Sequence, residues 1–495
     1  MTRSEMKRGI LGVVKDPKKK VLFSIDQRFG DNWPSSDSED SDYEPDPPVS
    51  VVAHKRKRTK SLKPNIYDHD IVHHAVTSCD STEGDLWGKC IPELVLLKIF
   101  RYVVESDGAV PFLCHALRVC RLWYQCASSS ALWKTVDLSY GWIKANDATI
   151  QLLCQTRFSK LTSVNLSYWK SLTANGLKLL ADTCPQLKSI NMSGCRVNAA
   201  GVLYMINKCS SLANIDLMSY GSTEVTNPKI IVQIVSQCAG NLRSLNLSRN
   251  GIKGFSAVVK ALASYCPNLE CLDLSQNHTS YIPLSFDIEH LQRGCSKLHI
   301  LRLVNTVIQP ARVSIRDRNE SPGFPELQEL CLGVTTVSVC PQIDVLQRLV
   351  KTSKKLQLLD LRGWSQLNCA DLENVPATDL AYLYISGIAK DDRIEMVASR
   401  WQHSLVELDV SWNIHSESAL DAAMKKLASN SEMSKLKALD LTGTQILLES
   451  VKSVLQGCPV LCRLNLSSCR ALPRGMKREY LYESLDQLRK NVDHC

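Results

Sequence analysis

Twenty cysteines and eleven histidines, with fifty Asp and Glu, give the chain material for metal binding, nucleophilic attack or proton transfer, so spacing must decide. There is no C-x-x-C pair, no H-E-x-x-H, no G-x-S-x-G elbow, no Walker loop and no G-x-G-x-x-G after a strand. Cys184, Cys209, Cys238, Cys266, Cys295 and Cys458 each stand three or four residues ahead of a leucine. Thiols that recur in phase with leucines are expected to be small buried packing residues rather than metal ligands. Asn165, Asn191, Asn246, Asn277 and Asn465 open N-x-[ST] triplets, which would accept glycans only in a secretory compartment. Ser36 and Ser41 each have an acid three residues on, Glu39 and Glu44, a pattern that suits an acid-directed kinase. No catalytic residue, metal site or cofactor is expected.

The elements that would carry these residues repeat. From residue 161 the chain shows LTSVNLSYW, LKSINMSGC (187), LANIDLMSY (212), LRSLNLSRN (242), LECLDLSQN (269) and LHILRLVNT (298). It continues with LQELCLGVT (327), LQLLDLRGW (356), LAYLYISGI (380), LVELDVSWN (405), LKALDLTGT (436) and LCRLNLSSC (461). The motif L-x-x-L-x-L followed by N or C is that of a leucine-rich repeat, one strand plus one helix per turn. A lone turn of this length cannot bury enough apolar surface to offset its ordering entropy, so the turns must stack. The expected fold is α/β: a curved solenoid of about twelve repeats with a parallel inner sheet and outer helices, over 136–473. Segments 175–187 and 256–269 should be such helices, and 474–495 a capping helix. Four of the five triplet asparagines share one strand position, so the triplets are by-products of the repeat.

The remaining composition places the protein inside the cell, in nucleus or cytoplasm. No run of eighteen apolar residues predicts a membrane span, and the start MTRSEMKRGI lacks a secretory apolar segment. Residues 1–83 are expected to be a disordered tail with an acidic block, SSDSEDSDYEPDPP (35–48), and a basic block, HKRKRTK (54–60), that suits nuclear import. Residues 1–80 hold 14 Lys and Arg against 13 Asp and Glu, so nearly all of the +9 net charge belongs to the later residues.

Between the tail and the repeats, 84–135 should form a small all-helical module. CIPELVLLKIFRYVV (90–104) is a helix that is apolar on nearly every face, with Pro92 in its first turn. A surface helix keeps one polar side, so this one is covered by a core or by a second protein. About fifty residues bury too little surface for much stability of their own.

Ile91-Pro92-Glu93-Leu94, Ile99-Phe100, Val119-Cys120-Arg121, Trp123 and Leu132-Trp133 resemble the F-box, with Ile in place of the usual leucine before the proline. With the repeats behind it, the chain resembles the F-box/leucine-rich-repeat proteins over about four fifths of its length. The resemblance implies a non-catalytic substrate-recognition subunit of an SCF-type (Skp–cullin–F-box) ubiquitin ligase, which positions its target for ubiquitination. It implies the Skp adaptor as partner and, through it, cullin and RING subunits, with Ile91, Pro92, Leu94, Leu97, Ile99, Phe100 and Trp123 in the docking module.

Specificity is then expected on the inner sheet. The fifth motif position is Asn or Asp in nine of the twelve repeats, and the exceptions Arg302, Cys331 and Tyr384 cluster in repeats six to nine. Arg302, Arg362, Trp364, Tyr382, Tyr384 and Trp412 combine the residue types that dominate binding hot spots and form the candidate contact for an unidentified protein substrate. The loop 306–326 is a second candidate contact or a tolerated insertion. Two other readings compete. A leucine-rich-repeat protein that merely sequesters a partner needs no docking module, and a nucleic-acid binder needs a continuous basic stripe, whereas the inner column is neutral or acidic. Neither nucleic acid nor membrane is an expected partner.

Overall fold

The computed structural model describes residues 91–219, 227–277, 283–334, 341–389 and 391–491. The tail with its two blocks, Ser36, Ser41, the first residues of the helical module and the last four of the cap lie outside the described residues.

The described residues begin with three helices: α1 (Glu93–Asp107), α2 (Phe112–Ala116) and α3 (Arg121–Ser128). Pro92 caps the start of α1, and Gly108, at φ +91°, ends it with a conformation that other residues adopt only under strain. Phe100 sits at the centre of this module, its ring edge-on to Phe112 (5.1 Å between centroids) and to Trp123 (5.0 Å).

The repeats stack as strand and helix in alternation. Their strands form one fourteen-stranded sheet, parallel throughout except for the last, Glu479–Leu481, which runs antiparallel to Arg463–Asn465. Each strand is three residues long and buries its central side chain, such as Val164, Ile190 or Leu245. Helices such as Ala174–Thr183, Ala199–Lys208 and Glu417–Ala428 fill the other face, most of them capped at the start by Asn, Asp, Ser or Thr side chains. A helix is about 10 Å wide and a strand spacing about 4.8 Å, so the stack curves with the sheet inside. The protein is therefore the α/β solenoid the motif predicts.

Three details differ from the expectation. A thirteenth parallel strand, Thr135–Asp137, precedes the first recognised motif, with Trp133 where the others have leucine. The loop 306–326 is built: Ile308–Pro310 pairs with Leu284–Phe286 in a separate two-stranded sheet, and a helix follows over Ile315–Glu320. The C-terminal cap is the antiparallel strand followed by a helix, Glu483–Asn491.

The six in-phase cysteines are all buried, each at the C-terminal cap of its helix. Burial pushes the Cys238, Cys266 and Cys295 thiols up to about 12, so they stay protonated and act as weak donors. Cys209 and Cys295 donate to the carbonyls of Cys184 and Cys266 one turn back, at 3.4 and 3.5 Å.

Candidate docking and recognition surfaces

Helix α1 divides into two faces. Leu96 and Phe100 (1% exposed) point into the module, with Leu97 and Val104 packed beside them. On the opposite side Leu94 (74% exposed), Val95, Ile99 (41%) and Tyr102 meet solvent. At 100° per residue these four, with Lys98 and Arg101, make one continuous arc. Val119, also exposed, comes from the segment before α3. Of the residues named from sequence, Leu94, Pro92 and Ile99 lie on the surface, Ile91, Leu97 and Trp123 are half-buried, and Phe100 is not available to any partner. Its role is to hold the three helices together. Val95 and Tyr102 escaped the list of docking residues because a uniformly apolar helix does not say which side is the core.

The fifth-position column on the sheet has a local explanation. In ten strands the Asp or Asn Oδ1 accepts the backbone N–H two residues on, from Ser139 to Asp137 through Ser467 to Asn465. These side chains close the turn out of the strand, an Asx turn repeated along the solenoid. Arg302, Cys331 and Tyr384 are the strands without it.

The residues in that gap pair with one another. Arg302 reaches the neighbouring strand and donates twice to Glu329 (2.5 and 3.0 Å). Burial works against its charge, but the hydrogen bonds and charge of Glu329 outweigh it and hold the guanidinium above its ordinary range. Arg362 donates twice to Asp360 (2.9 and 2.6 Å), and its guanidinium lies 5.2 Å from the centre of the Tyr384 ring. Burial pushes the Tyr384 hydroxyl up, so it remains neutral. Arg463 crosses Ala438 to pair with Glu407 two strands away, which the small alanine permits. Glu329, Glu407 and Arg463 were missed from sequence because the pairings appear only once the strands are in register.

Two members of the expected patch separate from it. Trp364 is buried (1% exposed), and its indole N–H donates to the Leu332 carbonyl at 2.9 Å. It cannot touch a substrate. Trp412 is 61% exposed at the exit from its strand, at φ +59°, with its ring over the position a Cβ on Gly443 would occupy. A bulky residue in the left-handed region costs of the order of 1–2 kcal/mol. Tyr382 is half-buried on the inner face.

Among the described residues no group of His, Cys, Asp and Glu is placed to hold a metal, and no helix is long and apolar enough to cross a membrane.

Comparison with known proteins bears on both parts. Residues 89–139 match the F-box-like domain family. The chain is 25% identical over 225 residues to F-box protein SKIP19 of Arabidopsis thaliana, covering 45% of this chain and 70% of that protein. It is 26% identical over 227 residues to Putative F-box/LRR-repeat protein 9 of the same plant, 44% of this chain and 86% of that one. A solved yeast structure of Rad7 with Elc1 is similar over 77% of this chain and 82% of that one, at 18% identity and TM-score 0.40. Residues 89–139 thus carry an F-box-like domain, and with the leucine-rich-repeat solenoid behind it the chain is similar in arrangement to the F-box/LRR-repeat proteins.

Proposed function

We propose that the protein is the substrate-recognition subunit of an SCF-type ubiquitin ligase. Its F-box docks a Skp-type adaptor, which links it to cullin and RING subunits, and its solenoid captures the protein to be ubiquitinated. The observation that carries this reading is the exposed apolar arc of α1, with Leu94, Val95, Ile99 and Tyr102 uncovered inside an F-box-like domain. Large apolar side chains gathered on one helix face mark a protein interface. The chain contributes positioning: it raises the local concentration of a target lysine beside a ubiquitin-charged enzyme carried by another subunit. The captured protein contacts the inner face around Arg302, Arg362, Tyr382 and Tyr384 with Trp412 at its rim, while Trp364 holds the sheet from behind. The protein works in nucleus or cytoplasm, a reading supported by its basic block at 54–60.

The test is co-purification of Skp adaptor and cullin with the intact chain and with Leu94→Ser/Ile99→Ser. Both changes fall on exposed positions, so melting should shift little while adaptor and cullin are lost together. Retention of both partners by the double variant would defeat the proposal. Phe100→Ala is the contrasting control, expected to cost about 3–5 kcal/mol of stability by emptying the module's centre.

A further inference from the structure

The positive excess of the folded residues has an address. Each turn re-enters its strand at one edge of the solenoid, and over the first five strands that edge carries Lys134, Lys160, Lys188, Lys208 and Arg243, all exposed. The five connections that hold them, 129–134, 157–162, 184–188, 208–213 and 238–243, contain no Asp or Glu. Lys134, Lys188 and Arg243 occupy the same register position on every second strand, with Thr162 and Ala213 between them. Two strand spacings separate neighbours, roughly 10 Å. Lys208 lies 4.0 Å from Asp182, and Arg243 pairs with Glu270 at the far end of the row. No ion pair is formed by Lys134, Lys160 or Lys188 within the described residues.

The chain also holds the complement. Residues 35–48 contain Asp37, Glu39, Asp40, Asp42, Glu44 and Asp46, and no Lys or Arg occurs from 29 to 54. Extended, the ten residues from 37 to 46 span about 33 Å, comparable with the roughly 20 Å width of the five-strand row. The 42 residues between this block and Ile91 have a contour of about 140 Å, so chain length does not limit the contact. A tethered segment at millimolar effective concentration needs only weak pairwise attraction to occupy such a site.

We propose that the acidic block 35–48 docks in cis on the strand-entry edge of the first five turns, beside the F-box. The contact is electrostatic and independent of adaptor or substrate binding. Phosphate on Ser36 or Ser41 adds negative charge within the docked segment and tightens it.

Zero-length carbodiimide cross-linking of the full-length protein, read by mass spectrometry, tests this directly. Cross-links from carboxylates 37–46 should concentrate on Lys134, Lys160 and Lys188 and fall severalfold in 1 M salt, where the screening length is about 3 Å. Converting the six acids to Asn or Gln should abolish them, as should Lys134→Glu/Lys160→Glu/Lys188→Glu. Three results would overturn the proposal: cross-links confined to Lys55 and Lys57 of the tail, cross-links spread equally onto Lys229 and Lys260 of the outer helices, or cross-links only between differently isotope-labelled molecules. The last would assign the edge to a partner in trans. Each leaves the ligase reading intact, since the α1 test does not involve this edge.

Discussion

Trp364 shows how a single residue can look like a contact and serve as a strut. It occupies the ninth motif position, where seven other side chains also donate to the carbonyl of the sixth position one turn back: Trp169 to Leu138, Cys195 to Leu166, Asn250 to Leu217, Asn277 to Leu247, Thr306 to Leu274, Asn413 to Ile385 and Cys469 to Leu441, while Ile388 carries no donor and Thr444 bonds Leu441 of its own turn. Most turns therefore keep a donor there and let its identity vary, so a reading of residue types alone cannot separate Trp364 from exposed Trp412. The same slot holds Asn277, which is fully buried. Trp364→Phe keeps an aromatic ring in the slot but gives up part of the indole's volume and deletes the donor, leaving the buried Leu332 carbonyl unpaired. Urea unfolding should show a loss of about 1–3 kcal/mol with substrate capture unchanged.

A charge in the inner column gives a second test at this scale. Burial raises the Asp216 carboxyl to about 6, despite hydrogen bonds from Met218 and Asn246 that favour its ionised form. Its folded value thus exceeds its unfolded one, and the folded state binds the proton more tightly. Stability should fall as pH rises from about 4 to about 6, by at most about 2–3 kcal/mol from this group. Carboxyl chemical shifts in protein labelled with 13C-aspartate should show one midpoint near 6; a midpoint near 4 would remove the effect.

At the scale of elements, the repeat strands were legible because their leucines are periodic, and the insertion was not because its order comes from long-range pairing. Its strand joins one 24 residues earlier, and a buried ion pair fixes it: Arg348 Nε donates to Glu289 at 2.8 Å, and its Nη2 also reaches the Ala311 carbonyl at 3.2 Å. Lys351 donates to three carbonyls of the segment, those of Arg318, Asn319 and Ser321. Neither partner of the ion pair has a sequence neighbour that announces it. Arg348→Met leaves Glu289 buried and unpaired, so the cost should be about 3–5 kcal/mol. Replacing both together, with Glu289→Leu, should recover most of that, and a double-mutant cycle by thermal unfolding separates the two outcomes.

For the whole molecule, the boundary between F-box and solenoid turns out to be a shared residue. Trp133 closes the F-box pattern and also stands in the first strand's leucine position; tryptophan there hid the thirteenth turn from a search for leucine. Its indole donates to the Ala127 carbonyl at the end of α3 (2.7 Å), its ring tilts against Phe158 of the next turn, and Arg157 lies over it at 5.5 Å. One continuous core consequently runs from Leu96 to Leu485. The proposed role of bridging an adaptor and a target calls for such a joint to be stiff, because a hinge would scatter the target lysine away from the reactive thioester and forfeit effective concentration. Trp133→Ala should open the joint without dismantling either side, since α1–α3 keep the Phe100 cluster and later turns keep their neighbours. Limited proteolysis should then cut between 128 and 135, where the parent chain should resist, and the two melting transitions should separate. If the variant instead unfolds in one cooperative step at lower temperature with no preferred cut, the F-box and solenoid form a single folding unit rather than two bodies joined at Trp133.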